Sequence, residues 1–228
     1  MRNEGGGEEE RRVWRNSGNQ YLCHVITRGA DIVVGVLLVV LAAMTGCEKR
    51  EDCVVPQALV EADSLLRIEE DSAAWEILKA VNGSDFEGCE EVTAQYDVLT
   101  VQAEDRNDMM LDTTLIAEAI EYYSRNEEDK YHAGLAWYYG GHHKKNSEDY
   151  VSAVVHYEKA LELFRAAKNR RYEYLSLNYI AYIFWIVGDN TEQLKTWKKA
   201  YQIATEEGNK RYEYVSLAAI GNCHLELP

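Results

Sequence analysis

Asn169 to Leu177 reads NRRYEYLSL, and Asn209 to Leu217 reads NKRYEYVSL. Seven of these nine positions are identical at an offset of 40 residues, a match that duplication explains and chance does not. The phase holds outside the twin stretches. Ile180 aligns with Ile220 and Ala181 with Gly221; one step back, Gly141 aligns with Ala181 and Ala160 with Ala200. Each period holds two helical stretches. From Arg170 to Val187 apolar residues fall at 174, 177, 181 and 184, and again at 180, 184 and 187, which are helical spacings on two adjoining faces. A helix apolar on two sides is packed between neighbours, as in a stack of repeats. Gly188-Asp189-Asn190 breaks it, and Asn190 followed by Gln193 reads as a capping box for a second helix from about Thr191 to Glu207, closed by Gly208. The earlier period repeats the plan, with a helix near 130–145, a break at Asn146-Ser147 and a helix from about Glu148 to Ala167.

Composition agrees. Of 228 residues only 2 are Pro and 15 are Gly, too few breakers for an all-β sandwich or barrel. With 46% hydrophobic residues the chain can bury a core. The formal charge is −15, from 24 Lys and Arg against 39 Asp and Glu, so a nucleic-acid backbone is not an expected partner.

The residues from 127 onward resemble the tetratricopeptide repeat family. The first clear unit offers Trp137, Gly140 and Gly141, then Ala153, Tyr157 and Ala160, within the run HYEKALEL at 156–163. The second offers Leu177, Ile180, Ala181 and Phe184, then Gln193, Trp197 and Ala200, with Gln193 departing from the small residue the family places there. The third offers Leu217, Ile220 and Gly221 and stops before a second helix. The period of 40 exceeds the family's usual length, as in its regulator-type members. The resemblance implies an all-α fold, a right-handed superhelix of antiparallel helix pairs. Upstream, Gln57–Ile68 with Ser72–Val81, capped by Asp71 or Ser72, and Cys89–Asp105 with Thr113–Arg125 read as two degenerate pairs. The expected organisation is thus a leader at 1–46, a charged tether at 47–56, degenerate repeats at 57–126 and tetratricopeptide-like repeats at 127–228, the last truncated. The final helix still carries Val215, Leu217, Ala218 and Ile220 and lacks a partner on one side. The expectation is that the chain is a fragment or that this edge meets another protein.

Ile32 to Met44, IVVGVLLVVLAAM, is an uncharged run of thirteen residues. That is short for a membrane span, which needs roughly 20 residues, and matches the core of a signal peptide, about 7–15. Met44-Thr45-Gly46-Cys47 follows and resembles the lipobox of bacterial lipoproteins, in which the Cys is lipidated and becomes the mature N-terminus. The resemblance implies lipidation at Cys47 and a bacterial envelope location. The following EKREDCVVP, at 48–56, resembles the surface-export signals of lipoproteins in Bacteroides-like bacteria and implies the outer membrane, and the stretch ADSLL…DSAAWEIL resembles the N-terminal region of Bacteroides-type lipoproteins that carry these repeats. The segment before Ile32 fits a signal poorly, and one hypothesis is a start codon further in, near Leu22 or Val25. N-terminal sequencing of the unprocessed precursor tests it, and an intact Met1 would sink it. Of the five Cys, Cys53, Cys89 and Cys223 remain once the leader and Cys47 are set aside. A Cys53–Cys89 bridge is open, with idle thiols the safer reading, and no zinc spacing occurs.

No catalytic pattern is present: no nucleophile elbow, no P-loop, no dinucleotide fingerprint. His142 and His143 point about 100° apart on a helix and make a poor metal pair, so these and His156 read as a solvated helix end. No cofactor, metal or catalytic residue is expected. In the family the first helix of each pair lines a concave groove. That placement implies partner-binding residues Tyr138, His142, Lys145 and Asn146, then Asn178, Tyr182 and Trp185, then Asn222. Asn side chains can grip a peptide backbone, and Tyr and Trp give rigid contact area. The recurring blocks RRYEY and KRYEY read as a structural ridge of Arg–Glu pairs and stacked Tyr. Three functions are open. The first is a lipid-anchored scaffold that binds a protein or peptide. The second is the extracytoplasmic sensor of a truncated regulator. The third is a glycan-binding accessory lipoprotein, which would need Trp137, Trp185 and Trp197 exposed.

Overall fold

Between positions 129 and 209 the chain sets an Asp or Asn at every twentieth residue: Asp129, Asp149, Asn169, Asp189 and Asn209. In the computed structural model, which describes residues 53–226, each of these side chains accepts a backbone N–H from the first turn of the helix it opens. Four of them also close the preceding helix. The N–H groups of Asp149, Asn169, Asp189 and Asn209 donate to the carbonyls of Lys144, Phe164, Phe184 and Ala204, each at 2.9 Å. The residue before each one is left-handed, with φ of 59° at Glu148, 56° at Lys168, 76° at Gly188 and 65° at Gly208. This is the Schellman closure, fused to an Asx cap in one residue. The cap of the helix after Gly188 is therefore Asp189, not Asn190. Glu148 is the left-handed connector and not the start of a helix. Asn190 and Asp189 offer the same chemistry, and only the phase set by the left-handed residue decides between them.

Among the described residues the protein is all-α, with nine α-helices, one short 3-10 turn at Gly83–Phe86 and no strand. The helices are α1 Gln57–Arg67, α2 Asp71–Leu78, α3 Glu90–Arg106, α4 Thr113–Arg125, α5 Lys130–Asn146, α6 Tyr150–Ala166, α7 Arg170–Ile186, α8 Asn190–Glu206 and α9 Lys210–Glu226. The last five are each 17 residues long, so the 40-residue period is two steps of one helix and one joint. Consecutive helices pack in pairs, α1 on α2, α3 on α4, α5 on α6 and α7 on α8, and α9 lies on α8. No helix of the described residues is long and apolar enough to cross a membrane. The expected leader, Cys47 and the tether up to residue 52 lie outside the described residues.

Small residues set the spacing of α5 and α6. A Cβ on Gly141 would stand 2.6 Å from the Tyr157 ring, and one on Gly134 would stand 2.7 Å from Phe164. Tyr157, Phe164, Ala153 and Ala160 are fully buried. Burying each large side chain stabilises the fold by roughly 1.5–3 kcal/mol. Tyr157 also stacks on Tyr179 of α7, centroids 5.3 Å apart, so one ring joins two steps of the repeat. The RRYEY and KRYEY blocks meet in space: Tyr174 lies flat on Tyr212 at 4.0 Å, and Arg170–Glu173 and Lys210–Glu213 recur as pairs.

Two links tie the degenerate helices to the regular ones. Arg106, ending α3, donates to the Leu66 carbonyl at 2.6 Å, to Asp71 at 2.8 Å and to the Tyr172 hydroxyl at 2.8 Å. Asp71 is thus an ion-pair partner and not a cap, and Ser72 donates its hydroxyl to Asn107. The second link runs through α1. Arg67 lies 3.8 Å over the Tyr131 ring, and His132 sits between Asp129 and Asp63. Against the reading of idle thiols, Cys53 and Cys89 form a disulfide that fastens the segment before α1 to the start of α3. The pair shows no motif spacing, and the bridge exists because α1 and α3 pack together.

Candidate functional site

The eight groove residues implied by the resemblance divide into two groups. Asn178, Tyr182 and Trp185 on α7 and Asn222 on α9 line one cleft of about 430 Å³. Its remaining walls are Gln193 and Trp197 of α8 and Ala219 and Leu225 of α9. The helical spacing of Asn178, Tyr182 and Trp185 puts them on one face of α7, and α8 closes the floor. Tyr182 is 43% and Trp185 51% exposed, with ring centroids 5.7 Å apart. Trp197 is buried and belongs to the second core cluster. No lining side chain carries a formal charge, in a protein of net charge −15.

At this cleft Gln193 is 7% exposed, and its Oε1 is buried with no hydrogen-bond partner. An acceptor left unsatisfied in that way costs about 1–3 kcal/mol, which a donor arriving from a ligand removes. Sequence reasoning met Gln193 only as a departure from a small residue. The signal was there: a polar side chain stands where the repeat puts a buried position.

The other four candidates lie elsewhere. Tyr138 and His142 do not face a groove; they are 4% and 3% exposed. Tyr138, His142, Tyr157 and Tyr179 form an aromatic cluster, with His142 and Tyr179 centroids 4.4 Å apart. His142 Nδ1 meets Asp105 at 3.2 Å, and burial holds its pKa below the usual histidine value, with Asp105 pulling the other way. The expected solvated helix end is corrected for His142, because α6 and α7 both fold over that turn of α5. Lys145 is half-buried, its ammonium 5.1 Å above the Tyr179 ring, and burial lowers its pKa. Asn146 is exposed at the end of α5. Of the three Trp that a glycan surface would need, Trp185 is exposed, Trp137 is half-buried and Trp197 is buried. Among the described residues no three His, Cys, Asp or Glu side chains gather in a way that holds a metal ion.

No protein-family model matches the chain, and no curated protein matches it.

Proposed function

We propose that this chain is a binding protein of the tetratricopeptide type, lipid-anchored through Cys47 on the bacterial outer membrane, whose α7–α9 cleft takes an extended segment of a protein or peptide. The observation that carries the reading is the unpaired Gln193 Oε1 beneath a cleft rimmed by Asn178 and Asn222. Three amide side chains with no competing charge suit a peptide backbone, which offers alternating donors and acceptors. Tyr182 and Trp185 add rigid apolar area. The Cys53–Cys89 disulfide supports a location outside the reducing cytosol.

The test is selection of a displayed peptide library on the purified full chain, followed by affinity measurement of the enriched peptides. Asn178→Ala with Tyr182→Ala should weaken them about tenfold or more while leaving helicity intact. Unchanged affinity would remove the cleft from the function. Anchoring is tested separately. Fatty-acid labelling of cells should mark the wild type and not Cys47→Ala, and equal labelling would end the lipoprotein reading.

A further inference from the structure

A second cleft, of about 210 Å³, opens between α3 and α4 and is lined by Glu90, Thr93, Ala94 and Asp97 on one side and Glu118, Glu121, Tyr122 and Arg125 on the other. Asp97 stands out among these. It is 3% exposed, it occupies the helical face that also carries Ala94, Val98 and Val101, and its Oδ2 is buried without a hydrogen-bond partner among the described residues. A carboxylate in that position carries a large desolvation cost unless a donor or a counter-charge meets it. The cationic side chain of the lining does not serve. Arg125 is 61% exposed and engages Glu121, its guanidinium 3.5 Å from the carboxylate. Burial, with Glu118 and Asp112 nearby, pushes the Asp97 carboxyl up to about 7, so the free site is short of positive charge.

We propose that the α3–α4 cleft binds a primary alkylammonium group, with Asp97 as the counter-ion at its floor. The rim carboxylates of Glu90, Glu118 and Glu121 draw a cation in, and the Tyr122 ring offers an aromatic wall of the kind that ammonium groups favour. The space is several times the ≈30 Å³ that one water takes in the liquid, so an alkyl chain enters with the charge. A hard divalent cation is a poorer fit, because it asks for six or more oxygen ligands and no such group gathers among the described residues. The site is separate from the α7–α9 cleft and does not rest on the function proposed for it.

Two sources share this chemistry, a free polyamine and a lysine side chain of a partner. Calorimetric titration of the full chain with spermidine, cadaverine and Nα-acetyl-lysine N-methylamide at low salt tests both. Saturable binding of a primary amine is expected. Asp97→Asn should weaken it about tenfold or more. Thr93→Trp, which fills the cleft and keeps every charge, should do the same and serves where Asp97→Asn fails to fold. Tighter binding of the free amines identifies a small-molecule site, and tighter binding of the lysine derivative identifies a protein contact. Absence of binding at millimolar amine, or equal affinity in the wild type and both variants, overturns the proposal.

Discussion

Gly141, Ala181 and Gly221 occupy one position of the repeat, and their surroundings differ in a way that can be measured. At Gly141 an added Cβ would press on the buried Tyr157 ring at 2.6 Å, whereas at Gly221 nothing lies within 4 Å. Gly141→Ala should therefore destabilise by about 1–3 kcal/mol, the usual cost of overpacking. Gly221→Ala should stabilise by about 0.5–1 kcal/mol, because Ala only stiffens an exposed helix there. Denaturant titration of the two variants checks both signs, and equal effects would contradict the packing described. His132 supplies a second test. Burial alone would lower its pKa, but the carboxylates of Asp129 and Asp63 outweigh burial and raise it above 6.5. Asp63 lies 3.7 Å from Nε2, beyond hydrogen-bond reach, so its share is charge attraction. A raised pKa means that the folded protein holds the proton more tightly than the unfolded chain. The contribution is complete below 6.5 and is lost as pH climbs through the folded value. Both carboxylates are lowered from 3.8, so their share is present above that value and is lost as pH falls through their folded values. Asp97, raised to about 7, and His142, lowered, titrate in both proteins, so the test is the difference: the melting-temperature gap between the wild type and His132→Gln should shrink on going from about pH 6 to about pH 9. Parallel curves would mean that the imidazole is uncharged in the native protein.

At the level of elements, the Cys53–Cys89 bridge closes a loop of 36 residues across α1 and α2. Chain-entropy reasoning gives it about 4 kcal/mol, before any residual structure in the unfolded chain is counted. Reduction, or Cys53→Ser with Cys89→Ser, should lower the unfolding midpoint and loosen α1 and α2 first. A midpoint indifferent to reductant would mean that the bridge constrains little. Reading the sequence located the nine helices of the described residues to within a few residues, because the apolar spacing and the Asx and Gly punctuation are local. Helical spacing alone put Asn178, Tyr182 and Trp185 on one face, while Asn222, on another helix, was joined to them by the register that the family resemblance implies. Sequence reading missed whatever depends on a third helix. His142 sits on a turn that looks polar in sequence and is buried because aromatic rings of α6 and α7 converge there. The meeting of Arg106 with Tyr172 is visible only once α3 and α7 share space. Asp97 left a trace, an acid on an otherwise apolar face of α3, that went unread.

Across the described residues the core forms two clusters, one running from Leu59 to Ile183 and one centred on Trp197, Ala200, Ile203 and Cys223. Contacts in a repeat stack are mostly between neighbouring units, so stability is close to a sum of local parts, with the hydrogen bond from Arg106 of α3 to Tyr172 of α7 as a longer tie. The second cluster is smaller, and α9 leaves Tyr214 75% and Leu217 50% exposed. Native-state hydrogen exchange should show α8 and α9 opening at lower free energy than α3, α5 and α6. A single opening energy for all helices would show one cooperative block instead. The Asp and Asn joints carry a consequence for how such a chain changes over generations. Because one residue finishes a helix and begins its successor, the four seams at Asp149, Asn169, Asp189 and Asn209 are alike. Copying or deleting a whole 40-residue period keeps the joints and the alternation of the two helices intact, whereas gaining one residue turns everything downstream by about 100° and breaks the interlocking. Length can therefore drift in whole strides, and the span of the molecule can be tuned without redrawing any of its surfaces.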